Sequence, residues 1–545
     1  MELQLQMTPA GLPALRYGDQ WLDDAEDPIA GAVSFANEKD LDGATRVVVF
    51  GTGLGYRLLR LRDLGCDPVV FEPNQEAVAV CHELMPEVLD GLDVFTEFTP
   101  FLQYLVRGYR ADDSTKLLTS KGYREAYPVE YDKVVRILSD AQGFSRIREN
   151  SLEQRTKGMI ESALSNLHQF GTSRLAMSLD RPLEKTPVFI VSAGPSLDRN
   201  GHLLAKAREH GMVFAVNTSG PCVKMHGSEV DVLVSIEAMD ASFQMKEINP
   251  HMLALDVTAN PKSFAIDSAK KVSFLQQHPA FASLAALLGM PTLQYGASVA
   301  TAAFRLALTW GADPIVLVGQ DLAYTDGHCY ATGTGREHGR VYPEGNVMRM
   351  ETGLEELFKK NGIKPPPKYQ PRVEVEAWGG GTVDTAYDLN MFRRWFESAA
   401  YVLRGQARYI NATEGGANID GFENMALENV LSGLGPRSDG LDAAYEAANP
   451  LPDELVDSVR EEIAARAVLT KREAAKCLRT RKKHLRAKLQ EQVRVLAKQT
   501  PCLETHSAGE LVALGKDRSV SKERRFRRTF EIIRDSAARI EELVT

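Results

Sequence analysis

From residue 187 to residue 321 the chain repeats one pattern: a short, almost wholly apolar run that stops at small or polar residues, followed by a stretch of helical spacing. The runs are PVFIVSAGPSLD (187–198), MVFAVN (212–217), DVLVSIE (231–237), LALDVT (253–258), KVSFLQ (271–276) and PIVLVGQD (314–321). Helical patterns such as GASVATAAFRLALTWG (296–311) lie between them. A strand that is apolar on both faces must be covered on both faces, which a parallel sheet flanked by helices provides. The pattern therefore predicts a doubly wound α/β domain.

An earlier segment repeats the logic once. RVVVFGTGLGY (46–56), the helical RLLRLRDLG (57–65) and PVVFEPN (68–74) read as strand, glycine turn, helix and strand, a Rossmann-like βαβ unit. After 450 the composition turns to ELVDSVREEIAARAVL, REAAKCLRTRKKHLRAKLQEQVRVLAKQ and KERRFRRTFEIIRDSAARIEEL, three helices, the second with basic outer faces. The second carries an apolar stripe of Leu478, Leu485, Leu489, Val493 and Leu496. The expected division is a Rossmann-like N-terminal domain (1–150), a doubly wound α/β central domain (151–425) and an all-helical C-terminal domain (426–545). Residues 151–186 read as a helix and linker, with Leu152, Met159, Ile160, Leu164 and Leu167 on one stripe; 325–390, rich in Gly, Pro and charge, read as a lid or binding loop or as disordered chain.

Composition narrows the function. A formal net charge of −9 argues against a chain-wide nucleic-acid surface but leaves room for a nucleotide pocket. Six scattered cysteines without metal-ligand spacing read as reduced thiols of a cytoplasmic protein. MELQLQMTPAGLPALRYGDQ has no basic start followed by an apolar run, so no secretory signal is expected. No run approaches the roughly 18 apolar residues of a membrane span.

Chemistry concentrates at the ends of the apolar runs. Gly51, Gly53 and Gly55 open a helix after a strand, and Glu72 ends the next strand at the offset from which a carboxylate can hold a ribose. This is either a cofactor turn, for S-adenosylmethionine for example, or a tight structural turn. Gly194, Pro195 and Ser196 form a small-residue turn whose amides and helix N-terminus suit a phosphate. Asn217, Thr218 and Ser219 end the next strand, as base or ribose contacts or as a helix cap. Glu237, with Asp240 close behind, offers a carboxylate for a ribose, a metal or an acceptor, or again a cap. VGQDLAYTDGHCY delivers Asp321, Tyr324, Asp326 and His328 into one loop, an acid/base set for group transfer, beside Gln320.

Together these blocks resemble the motility accessory factor (Maf) family of flagellin glycosyltransferases, whose central domain is shared with archaeal 6-hydroxymethylpterin diphosphokinases (MptE-like). The matching pieces are GLGY (53–56), FEPN (71–74), SAGPSLD (192–198), AVNTS (215–219), GASVATAAFRLALTWGADPIVLVGQDLAYTDG (296–327) and NATEGGANIDGF (411–422), which contains Glu414. The central domain also resembles bacterial sialyltransferases, in which a GPSL-like turn and a following Asn hold CMP. The resemblance implies a CMP-activated nonulosonic acid donor, of pseudaminic or legionaminic type, and Ser or Thr hydroxyls of flagellin or another surface protein as acceptor. It places Gly194, Pro195, Ser196, Asn217, Ser298 and Thr301 at the nucleotide; the sialyltransferase catalytic His has no secure counterpart, and His328 is only nearby. No cofactor beyond the sugar nucleotide and no resident metal is expected. Two alternatives stand: a pterin diphosphokinase using ATP and Mg²⁺, with Glu237, Asp240 or Asp321 on the metal, and a non-enzymatic flagellin-binding assembly factor.

Overall fold

The computed structural model describes residues 2–98, 100–101, 104–105, 114–138, 156–353, 369–480, 483–503, 506–507, 510–511 and 522–545. The chain forms two compact units, Met1–Leu152 and Glu153–Thr545.

The first unit carries a four-stranded parallel sheet of β1 (Arg46–Phe50), β2 (Val69–Phe71), β3 (Val94–Phe95) and β4 (Thr115–Thr119), in the order β3-β2-β1-β4. Phe50, Phe71, Phe101 and Tyr123 are fully buried against it. Ahead of it stands a three-stranded antiparallel sheet (Leu3–Met7, Pro13–Tyr17, Gln20–Trp21) that the sequence pattern does not announce. The helix Pro28–Phe35 follows, capped by the Asp27 carboxylate, which accepts from the Ile29 and Ala30 amides.

The second unit is built on nine parallel strands: β5 (Arg174–Leu175), β6 (Val188–Val191), β7 (Met212–Val216), β8 (Val232–Ser235), β9 (Met252–Asp256), β10 (Lys270–Phe274), β11 (Ile315–Val318), β12 (Tyr409–Asn411) and β13 (Glu423–Asn424). Their order is β13-β12-β11-β6-β7-β8-β9-β10-β5. From β6 the chain winds outward through β10, then returns to lay β11 against the other side of β6. Strand order reverses between β6 and β11, the topological switch point at which open α/β sheets bind ligands. Alternation sorts the side chains: Phe189 and Val191 enter one apolar cluster, Val188 and Ile190 the other. The first cluster continues into the C-terminal helices through Val456, Val459, Ile463, Phe530, Ile533 and Ile540.

The expected α/β class with a helical C-terminal region holds, and so do the apolar strands, to within a few residues. Two details differ. The C-terminal helices run Asp453–Arg479, Lys483–Gln499 and Lys522–Val544, because nothing at 470–471 breaks the first: Thr470 is buried and donates to the Arg466 carbonyl. The Leu485 side chain lies outside the described residues, as does Leu152. The region read as loop at 325–390 contains antiparallel pairs, Arg340–Glu344 with Val347–Glu351 and Val373–Glu376 with Thr382–Thr385; the latter turns through Gly380 and Gly381, both in left-handed conformation. Residues 354–368 of that region lie outside the described residues.

The helix Val299–Thr309 covers the second face, and its Phe304 is fully buried against Trp395, Phe396, Tyr409 and Phe422. Phe304→Ala is expected to cost about 3–5 kcal/mol, measured by urea unfolding; an unchanged midpoint would contradict this packing.

Candidate functional site

The glycine turn of the first unit has no donor left for a cofactor. Gly51 N donates to Phe71 O at 2.9 Å, and Thr52 N to the Glu72 carboxylate at 2.7 Å. Gly53 N donates to the Tyr123 hydroxyl at 2.9 Å and Leu54 N to Asp23 at 3.2 Å. Gly55 N closes on Thr52 O at 3.0 Å. Glu72 is fully buried, and it also accepts from the Thr52 hydroxyl, the Tyr123 hydroxyl and the Asn74 amide. A Cβ at Gly51 would enter the Tyr123 ring and one at Gly53 the Asp23 carboxylate. The side chains of Tyr123 and Asp23 thus fill the place a cofactor would take. Of the two readings of Gly51, Gly53, Gly55 and Glu72, these contacts favour the tight structural turn: the carboxylate holds the turn from within.

At the switch point of the second unit, the loops after β6 and β11 are locked together. Asp321, 2% exposed, receives the Ser196 hydroxyl at 2.6 Å, the Ser196 amide at 3.2 Å and the Thr325 hydroxyl. Gly194 N donates to Gly319 O at 2.8 Å, and the Ser192 hydroxyl to Gln320 Oε1 at 2.5 Å. A Cβ at Gly194 would overlap the Asp321 carboxylate, so only glycine allows this approach. In this structure the donors that the phosphate-cradle reading of Gly194, Pro195 and Ser196 would aim at a ligand have protein partners. The Gly194 and Ser196 donors serve the β11 loop, and Pro195 has no N–H. Asp321 is likewise no free base. Burial pushes its carboxyl up to about 6, against the lowering effect of the Ser196 and Thr325 hydroxyls.

The neighbouring residues divide into occupied and presented groups. The Ser219 hydroxyl donates to Val191 O at 2.6 Å, tying the β7 turn to the end of β6. Thr301 donates to the Ser298 carbonyl at 2.5 Å, within the first turn of its own helix. The Glu414 carboxylate, on a residue of positive φ, accepts from Asn200 Nδ2 at 3.0 Å and caps the helix Leu427–Ser432 through the Leu427 amide at 2.9 Å. Asp240 pairs with Lys262 at 2.7 Å, and that hydrogen bond holds its carboxyl down to about 2. Glu237 is half-buried, its carbonyl accepting from the Asn260 amide at 2.8 Å.

Presented groups are fewer. Asp326 is exposed, paired with Arg199 at 2.7 Å, and His328 is half-buried on the same loop. The Tyr324 hydroxyl accepts from Gln370 Nε2 at 2.6 Å, and burial raises its pKa well above the usual phenol range, so it stays protonated and can donate. Asn217, 4% exposed, sends Nδ2 to Gln244 Oε1 at 2.6 Å; its Oδ1 has no partner among the described residues. Thr218 approaches the same Gln244 oxygen at 3.5 Å. Arg199, Asn200, Gln244, Thr325 and Gln370 all touch the site and escaped the sequence reading. Arg199 and Asn200 lie in the first turn after GPSL, where helical spacing signals them, but Gln244 and Gln370 stand in stretches without periodicity. Cavities of about 580 Å³ beside His278 and 430 Å³ beside Arg208 and Arg437 open elsewhere. Among the described residues no three His, Cys, Asp or Glu side chains group to hold a metal, and no helix is long and apolar enough to cross a membrane.

With a carboxyl whose folded value is raised, protonation favours the fold: Asp321 contributes stability below its unfolded value near 4, which is lost as pH rises through about 6. Asp321→Asn should therefore gain stability relative to the parent between pH 4.5 and 7.5 in urea unfolding. A pH-independent difference would contradict burial as the dominant cause.

Comparison with known proteins comes at two levels. Residues 161–327 match the family model of 6-hydroxymethylpterin diphosphokinase MptE-like proteins. No curated protein matches the sequence. Among solved structures, the MAf glycosyltransferase from Magnetospirillum magneticum AMB-1 superposes with a TM-score of 0.52 at 15% identity, covering 99% of this chain and 91% of that one. The resemblance to the Maf family and to MptE-like proteins is borne out by both findings: an MptE-like segment holds the switch point, and the chain as a whole shares the fold of a Maf glycosyltransferase.

Proposed function

We propose that the protein is a glycosyltransferase of the Maf type, moving a nonulosonic acid of pseudaminic or legionaminic type from a CMP-activated donor to Ser or Thr hydroxyls of flagellin. What carries this reading is a coincidence of place. The MptE-like segment, 161–327, contains both strands of the switch point, β6 and β11, and the presented groups Asn217, Tyr324 and His328 follow those strands or the adjacent β7.

The chemistry asked of these residues is an inverting displacement. The acceptor oxygen attacks the anomeric carbon as the bond to the CMP phosphate breaks, its electron pair leaving with CMP through an oxocarbenium-like transition state. Tyr324, held protonated by burial, donates to the departing phosphate. The acceptor proton goes to His328, the half-buried imidazole on the same loop; the Asp326 carboxylate is engaged by Arg199 and that of Asp321 is enclosed.

The family match also favours a second reading, ATP-dependent diphosphate transfer to a pterin with Mg²⁺. Of the three carboxylates which that reading puts on the metal, Glu237, Asp240 and Asp321, two already have protein partners. Asp321 is saturated by Ser196 and Thr325, and Asp240 is bound to Lys262.

A thermal-shift panel of CMP, CDP, UDP and ATP, with and without Mg²⁺, separates the two readings. The glycosyltransferase reading expects a metal-independent shift with CMP; a shift only with ATP and Mg²⁺ would favour the kinase. Tyr324→Phe should lower kcat of sugar transfer about a hundredfold, the usual loss for one preorganised donor. Unchanged kcat would remove Tyr324 from the mechanism.

A further inference from the structure

Among the described residues, the open edges of the sheets are guarded, with one exception. Every other outer strand is two residues long or carries a charge or a proline: Lys116 in Thr115–Thr119, Pro343 in Arg340–Glu344, Pro371 in Tyr369–Pro371, Glu374 in Val373–Glu376 and Asp384 in Thr382–Thr385. Such residues keep an edge from pairing with another chain. The strand Leu3–Met7 has none of them. It runs Leu-Gln-Leu-Gln-Met over five residues, and its one strand partner among the described residues is Pro13–Tyr17.

The open side of that strand can be assigned residue by residue. The Gly18 amide donates to the Glu2 carbonyl at 3.5 Å, and the Thr8 amide to the Leu12 carbonyl at 2.9 Å. Backbone groups alternate between the two sides of a strand, so those of Gln4 and Gln6 also face Pro13–Tyr17. Opposite Met7 the register sets Pro13, which has no N–H to give. Leu3, Leu5 and Met7 therefore turn their N–H and C=O groups to the open edge. Leu5 is 50% exposed and Met7 66%.

This strand is its own complement. In an antiparallel pair with a second copy, centred on Leu5, Leu5 meets Leu5, Leu3 meets Met7 and Gln4 meets Gln6. Glu2 meets Thr8, so no charge faces a like charge. Apolar side chains meet on one face and amides on the other. The three outward residues become hydrogen-bonded pairs, about six N–H···O=C bonds across the axis. A twofold interface needs that self-complementarity, and pairing with an unrelated strand does not.

We propose that a second copy of this chain covers the edge, joining two three-stranded sheets into one six-stranded antiparallel sheet about a twofold axis at Leu5. Five residues a side make a small interface, so the dimer dissociates on dilution.

The test is sedimentation of the full chain, free of added N-terminal residues, over a series of concentrations at low salt. The mass should rise with concentration from 60.1 kDa towards roughly twice that value. Leu5→Lys and Leu5→Glu should each stay monomeric, because like charges then face each other at the axis. An equimolar mixture of the two should dimerise, since Lys now faces Glu, and that recovery shows that both variants are folded. A wild type that stays monomeric at every concentration overturns the proposal. So does a dimer that persists in Leu5→Lys, which would place the interface elsewhere, or a mixture that stays monomeric.

Discussion

Two strands far apart in sequence meet at the centre of the larger unit, and one buried carboxylate holds their loops together. Asp321 follows β11 and takes both the amide and the hydroxyl of Ser196, which follows β6. Thr325 closes the remaining side. Without this clasp Gly194 has no reason to press against the Gly319 carbonyl, and the turn at the switch point is free to open. The cost is a carboxyl taken out of water, visible in its upward shift.

The same device recurs. Asp256 ends β9 fully buried, accepting the Thr258 amide and the Tyr295 hydroxyl, both at 2.7 Å, and burial raises it to about 6. Glu72 follows β2 and holds the glycine turn of the first unit in the same manner. In each case a carboxylate at a strand's carboxyl end satisfies the backbone of a turn. At Asp321 and Glu72 this consumes the amides that would otherwise receive an anion. In both small-residue turns the backbone donors are thus engaged within the fold.

This explains how far the sequence could be read. Strands such as VFIV and IVLV are legible because burial on both faces demands unbroken apolar runs, and the switch point follows from their winding. Blocks that carry the Maf resemblance lie in the loops after β6, β7 and β11. Partner choice was not legible. Nothing in GPS or GTGLG distinguishes an amide aimed at a phosphate from one aimed at Asp321 or Glu72, since the partner lies 125 residues away for Ser196 and 20 for Thr52. Gln244 and Gln370 gave no signal, because a three-residue turn (Ser242–Gln244) and a three-residue strand (Tyr369–Pro371) are too short to show a period. The edge strands β5 and β13, two residues each, are too short to show a period.

A nucleotide at the switch point of the second unit, and none at the glycine turn of the first, is the claim on which the functional account stands. A crystal structure with CMP tests it most directly. The account predicts density for the nucleotide against the ends of β6 and β7, in contact with Asn217, while Tyr123 and Asp23 still fill the Gly51–Gly55 turn. CMP seated at that turn, or remote from β6 and β7, would contradict it.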